Sequence, residues 1–181
     1  MLASLTLVGL LFTPWLAHSA LAQQKHRHAG AHVHGTGKLD VAIEGNKLSI
    51  ALEAPADDIL GFEHAPKTPD QKAKLDRAVI RLKDAGTIFK TSADANCKLV
   101  KAEAGLQLPD PKTNKSSEHA DFTGTFEFEC AAITKLTVID LGYFAAFPGA
   151  GKLAITIVTS KAQTAREATK GKPRIDLKGL N

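Results

Sequence analysis

An alternation of apolar and polar residues over positions 38–53 constrains the fold of this chain more than any other stretch. Its apolar members share one face of an extended backbone: Leu39, Val41, Ile43, Leu48, Ile50 and Leu52. The two halves of the pattern are separated by Gly45 and Asn46, a pair typical of a type II′ turn. The stretch is therefore predicted to form a β-hairpin with one buried face.

Further alternating segments predict more strands, at residues 97–104, 122–130, 136–143 and 152–159. Residues 174–177, after Pro173, predict an edge strand. Residues 54–66 are interpreted as an irregular connector, and residues 106–118 as a loop rich in Pro, Lys and Ser. These patterns predict a mainly β (α+β) fold, either a β-sandwich or a curved antiparallel sheet, with one packed α-helix.

The predicted helix runs from Pro69 to about residue 85. Thr68 and Gln71 form a T-x-x-Q capping box, and proline suits the first helical position. An apolar stripe at helical spacing is expected to face the sheet: Leu75, Ala78, Val79 and Leu82. Gly86 is the expected C-terminal stop. The basic and acidic residues of this helix are expected to form a solvated face.

Three regions follow one another in the chain. Residues 1–22 are uncharged and mostly apolar, and they end in Ala20-Leu21-Ala22, which resembles a signal-peptidase site. We expect a cleaved signal peptide there, with an uncleaved anchor as the alternative. Residues 23–37 form a His-rich N-terminal arm, and residues 38–181 form a single β-rich domain. The expected location is the periplasm, and the mature form is expected to have no membrane span.

Charge argues against a nucleic-acid partner. The net charge is +4, and the lysines are scattered along the chain. Aromatic side chains do not alternate with basic ones on any predicted face, as they do in proteins that bind single strands.

The chain has two cysteines, Cys97 and Cys130. An even pair in an exported chain predicts one disulfide bond. The alternative, a pair of metal thiolates, is disfavoured by an oxidising compartment.

Four of the seven histidines lie within residues 25–35 as two H-x-H pairs. Residues i and i+2 of an extended chain point to the same side, so His32 and His34 can direct two imidazoles at one ion. Imidazole suits Zn(II), Cu(II) and Ni(II). His26 and His28 can do the same, although a solvated tail explains them as well.

Further metal ligands for His32 and His34 could come from the histidines downstream in the chain. His119 and Asp121 repeat the i, i+2 spacing at the start of a strand, and with His32 and His34 they would complete a tetrahedral set suited to zinc. His64, next to Glu63, is a second candidate, with a packing role as its alternative. The fourth ligand is left open among Asp121, His64 and water. The only methionine is Met1, which disfavours a Cu(I) carrier built on thioethers.

These residues also resemble a known family, the zinc-regulated periplasmic (ZrgA-like) proteins. The resemblance rests on five motifs in order: His32-Val33-His34-Gly35, the hairpin 39–48, Gly61-Phe62-Glu63-His64-Ala65-Pro66, His119-Ala120-Asp121 and Phe126-Glu127-Phe128-Glu129-Cys130. It implies a β-rich periplasmic protein that holds zinc through histidines and assists zinc acquisition beside an ABC-type zinc importer. The chain departs from the family at residues 106–118, where many members carry a long His/Asp-rich insertion and this chain has no histidine. Storage of several ions is therefore not expected.

Three functions follow as hypotheses. The first is a periplasmic Zn(II)-binding protein that takes part in zinc acquisition or handover to an importer. The second is a zinc hydrolase with Glu63 as general base, although no H-E-x-x-H helix or nucleophile elbow is present. The third is an exported structural or adhesive β-domain whose histidines are incidental.

Overall fold

A computed structural model describes residues 35–109 and 119–180. The predicted signal peptide, His26, His28, His32 and His34 lie outside these residues, as does most of the predicted loop at 106–118. The strands are β1 Thr36–Glu44, β2 Lys47–Pro55, β3 Phe89–Thr91, β4 Cys97–Gln107, β5 Asp121–Cys130, β6 Val138–Leu141, β7 Lys152–Thr159, β8 Gln163–Thr169 and β9 Arg174–Asp176. The helices are α1 Ala56–Leu60, α2 Pro69–Lys83, α3 Ala85–Ile88 and α4 Tyr143–Ala146.

The strands of the described part of the chain form two sheets. The larger has six strands in the order β4-β5-β2-β1-β7-β8, and the smaller has the order β3-β6-β9. The predicted hairpin is β1 and β2, whose pairing is antiparallel, and Gly45 has the positive φ of 58° that the first central residue of a type II′ turn requires. β1 also pairs with β7 in parallel, so the large sheet is mixed. A mainly β fold with one packed long helix is thus confirmed.

The large sheet has one buried face and one polar face. In β1, β2 and β5 buried residues alternate with exposed or half-exposed ones, as the hairpin pattern predicted. Ion pairs such as Lys38–Glu53, 2.9 Å apart, lie on the polar face. On the buried face, the ring of Phe126 packs against Phe89 of the small sheet, with the ring centroids 5.0 Å apart. The two sheets therefore share one apolar core.

Helix α2 begins as predicted and ends earlier. The Thr68 hydroxyl accepts a hydrogen bond from the Gln71 backbone, and the Gln71 side chain in turn accepts one from the Lys67 backbone. The predicted apolar stripe packs on the core. Gly86 is not the stop: the helix ends at Lys83, and Gly86 lies inside the short helix α3. Residues 85 and 88 are buried there, so the chain turns inward before the glycine.

The connector and the third predicted strand also differ from expectation. The connector at 54–66 contains helix α1, which ends at Leu60 and is capped by Gly61 in the left-handed conformation. The strand predicted at 136–143 is shortened to β6 and followed by α4. Gly142 lies so close to the backbone of Thr87 that a Cβ would be 2.4 Å from its carbonyl oxygen. Only glycine fits at this position, where the chain leaves the strand.

Strands β3 and β8 were not predicted. β3 is only three residues long, and β8, with the sequence QTAREAT, has a weak apolar alternation because it forms an edge of the large sheet. β9 is the predicted edge strand after Pro173, here at the edge of the small sheet.

The predicted disulfide bond is confirmed. Cys97, the first residue of β4, is bonded to Cys130, the last residue of β5, and the two are direct partners in the strand register. The bond joins the edge strand β4 to the interior of the sheet and leaves no free cysteine.

None of the helices in the described ranges has both the length and the apolar character needed to cross a bilayer.

Candidate metal site

The strands that carry the predicted ligand motifs begin at one end of the large sheet. β1 starts two residues after His34, and β5 starts at Asp121. β2 lies between them, with Glu53 opposite Lys38 of β1 and Pro55 opposite Asp121. Two interstrand spacings separate the starts of β1 and β5, which is about 10 Å. The fold therefore places the chain next to His34 close to the downstream candidates.

His119 contacts Glu63, the carboxylate that the sequence analysis placed beside His64. Its Nδ1 lies 2.5 Å from Oε2 of Glu63. Glu63 is largely buried, with 13% of its side chain exposed, whereas the His119 ring is half exposed at 52%. In metalloproteins a carboxylate commonly contacts one ring nitrogen of a histidine that binds the metal through its other nitrogen.

Backbone hydrogen bonds fix this pair at the sheet end. The amide of Ala120 donates to the carbonyl of Glu63, and the carbonyl of Ala120 accepts from the amide of Ala56. The connector after α1 is thus tied to the residue between His119 and Asp121.

Asp121 is the first residue of β5 and lies on the opposite side of the strand from the buried Phe122. Its Oδ1 is shielded from solvent. β5 begins at Asp121, as predicted, and His119 lies two residues before it.

His64 makes contacts of its own within the connector. Its Nδ1 lies 2.8 Å from the carbonyl oxygen of Ala65, and its ring stacks on Phe62 at a centroid distance of 5.2 Å. The neighbouring Glu63 contacts His119 instead, so the two adjacent side chains have different partners. The packing role weighed for His64 agrees with these contacts.

Within residues 35–109 and 119–180, no three side chains of His, Cys, Asp or Glu converge on one point. A metal site that used His119 and Asp121 would need further ligands from outside the described ranges. The predicted ones, His32 and His34, are outside the described ranges.

Asp58 was missed by the sequence analysis. It is the one buried charged side chain in the described part of the chain, with 5% exposed, and its Oδ1 accepts a hydrogen bond of 2.8 Å from the amide of Gly35. Gly35, at φ +78°, also accepts hydrogen bonds from the amides of Gly151 and Lys152. Three hydrogen bonds thus hold the residue that follows His34.

Asp58 also acts on Tyr143, a buried residue of α4. Burial raises the pKa of the Tyr143 hydroxyl well above its usual range, and the nearby carboxylate of Asp58 raises it further. The phenol therefore stays protonated beside Asp58. No local sequence signal marks Asp58, because its hydrogen-bond partner Gly35 is 23 residues away.

We expect Asp58→Ala to lower the free energy of unfolding by about 2 kcal/mol, because the amide of Gly35 loses a carboxylate acceptor in a buried position. Urea unfolding would measure the change. Asp58→Asn is the matched control, since its amide oxygen can still accept, and it should lose less than half as much. Equal losses in the two variants would contradict the assigned role of the hydrogen bond.

Comparison of the chain with known proteins identifies a family. No curated protein matches the chain. A family model described as "ZrgA family zinc uptake protein" matches residues 31–177, a range that contains all five candidate ligands. The match spans most of the chain and agrees with the resemblance drawn from the motifs, and we conclude that the chain belongs to the ZrgA family of zinc uptake proteins.

Proposed function

We propose that this protein binds Zn(II) in the periplasm and assists zinc acquisition by handing the ion to a zinc importer of the ABC type. The proposed ligands are His32, His34, His119 and Asp121, with His64 as the alternative to Asp121. The protein would act as a carrier and not as an enzyme. Membership of a zinc uptake family supports the choice of metal.

The contact between Glu63 and His119 is the observation that carries this proposal. A largely buried carboxylate within hydrogen-bond distance of a half-exposed imidazole is the arrangement found behind zinc-bound histidines. Glu63 would fix the tautomer and orientation of the His119 ring.

The position of this contact supports the proposed pairing with His32 and His34. The start of β5 is about 10 Å from the start of β1, two strand spacings away. Three hydrogen bonds at Gly35 determine where the chain enters β1. His34 and His32, one and three residues before Gly35, would therefore start from a fixed point about two strand spacings from the start of β5.

Exposure supports reversible binding. Just over half of the His119 side chain is open to solvent, so an ion on Nε2 could be reached by a ligand of another protein.

A hydrolase is less well supported. The residue considered as its general base, Glu63, is largely buried and in contact with His119. A carboxylate that orients a ligand is not placed to activate a metal-bound water.

Calorimetric titration of the metal-free protein with zinc tests the proposal. We expect saturable binding, reduced about 100-fold or more in His32→Ala/His34→Ala and in His119→Ala, because each removes nitrogen ligands. Glu63→Gln should weaken binding by about 10- to 100-fold through the orientation of His119. Binding should also fall below about pH 6, since the imidazoles must be deprotonated to bind.

The matched control is His26→Ala/His28→Ala, the other H-x-H pair, which should retain full affinity at the main site. Absence of saturable zinc binding by the wild type would refute the proposal. Undiminished binding by both His32→Ala/His34→Ala and His119→Ala would refute the ligand set.

A further inference from the structure

A cleft lies apart from the candidate metal ligands, between α1, α2 and the segment 146–149 after α4. Its volume is about 700 Å³, within the range of sites that bind ligands or peptide side chains. The sequence analysis expected the charged residues of α2 to face solvent. Some of them line this cleft, and the others lie outside it.

Three cations of α2 form a row along one wall: Lys74, Arg77 and Arg81. Their spacing of three and four residues places them on one side of the helix over roughly 10 Å. The ammonium of Lys74 lies over Gly61, since a Cβ on that glycine would be 3.3 Å from Nζ. The guanidinium of Arg81 donates to the carbonyl of Ala146 across the cleft, at 3.0 Å.

Lys74 and Arg77 have neither an ion pair nor a side-chain hydrogen bond with any residue in 35–109 or 119–180. Lys72 of the same helix, by contrast, is paired with Asp76 and does not line the cleft. The charges of Lys74 and Arg77 are therefore not neutralised by a direct ion pair with any carboxylate of the described residues.

Three aspartates also line the cleft, and their positions limit what they neutralise. Asp58 is buried with Oδ1 directed at the amide of Gly35. Asp84 lies one residue beyond the end of α2, and Asp57 belongs to α1 on the other wall. Within the described ranges, none of these three aspartates forms an ion pair with Lys74 or Arg77.

An exposed apolar side chain adjoins the row. Ile80 is 70% exposed, the highest value among the large apolar residues of the described chain that are exposed, and it also lines the cleft. Positive charge beside an exposed aliphatic group is complementary to a peptide that carries carboxylates and an apolar residue.

We propose that this cleft is a docking site for an acidic segment of another protein, with its carboxylates on Lys74, Arg77 and Arg81 and an apolar side chain on Ile80. The inference is independent of zinc and concerns a surface separate from the proposed metal ligands.

Fluorescence anisotropy with the metal-free full chain tests it. The probe is a short fluorescein-labelled peptide of alternating glutamate and leucine, and the reference peptide has glutamine in place of glutamate. We expect saturable binding of the acidic peptide alone, weakened by salt and weakened about tenfold or more in Lys74→Glu/Arg77→Glu. Lys74→Ala/Arg77→Ala should give a smaller loss.

Lys72→Glu/Lys83→Glu is the matched control, because it makes the same change of net charge on α2 outside the cleft. It should keep the wild-type affinity, with thermal unfolding confirming that each variant is folded. Equal weakening by the control, or equal binding of the glutamine peptide, would overturn the proposal. Full competition by inorganic phosphate at equal concentration would identify a small-anion site instead, and a change in sedimentation of Lys74→Glu/Arg77→Glu would identify a second copy of this chain as the occupant.

Discussion

Replacing Phe126 with alanine is expected to lower the free energy of unfolding by about 3–5 kcal/mol. Phe126 is fully buried at the middle of β5, and its ring joins the two sheets through Phe89. The ring also covers Gly124 of the same strand, where a Cβ would be 2.6 Å from Cζ. The truncation therefore leaves a cavity between the sheets and uncovers the glycine backbone.

Urea unfolding would measure this loss, with Glu127→Ala as the matched control. Glu127 is the next residue of β5 and lies on the polar face, so its truncation should change stability by no more than about 0.5 kcal/mol. A loss of less than about 1 kcal/mol in Phe126→Ala would contradict a core that couples the two sheets.

Removal of the disulfide bond is the second large effect. The bond closes a loop with a sequence separation of 33 residues, and in the chain-entropy model its loss should destabilise the fold by about 3–4 kcal/mol. The reduced chain has more freedom in the unfolded state, while β4 and β5 keep their register when folded.

Cys97→Ala/Cys130→Ala and the wild type under a reductant should both show this loss in urea unfolding. The two differ in packing, because Cys130 is buried and alanine also removes its sulfur. The variant should therefore be slightly less stable than the reduced wild type. An unchanged urea midpoint on reduction would contradict a stabilising role for the bond.

The hairpin shows what could be predicted from local sequence. Its alternation and its Gly45-Asn46 turn are properties of adjacent residues, and both appear in the structure. Helix α2 began at its predicted capping box for the same reason, since a cap is a contact within one turn. Its end was misplaced at Gly86, because the burial of α3 in the core decides where the chain turns.

Weak or absent local patterns explain the elements that were missed. β8 is an edge strand with mixed polarity, and α1 is too short to show helical periodicity. The parallel pairing of β1 with β7 joins segments more than a hundred residues apart. No pattern within either strand specifies such a partner.

The candidate site, too, was predictable only where it depends on neighbouring residues. The i, i+2 spacing predicted His119 and Asp121 at a strand start, and that start is where β5 begins. The spacing could not show that Glu63 contacts His119, nor that Asp58 holds Gly35, because these partners are 56 and 23 residues apart in sequence. The ligand role of all five candidates remains a prediction.

The sequence by itself determined the mainly β class, the hairpin, the start of the long helix, the cysteine pair and the family resemblance. Each of these depends on neighbouring residues, on composition or on the order of motifs. Only the tertiary structure decided the strand order, the contact of Glu63 with His119, the anchoring of Gly35 by Asp58 and the cation-lined cleft. These depend on long-range burial, which brings distant segments together to remove apolar surface from water and is not encoded in any single stretch of the chain.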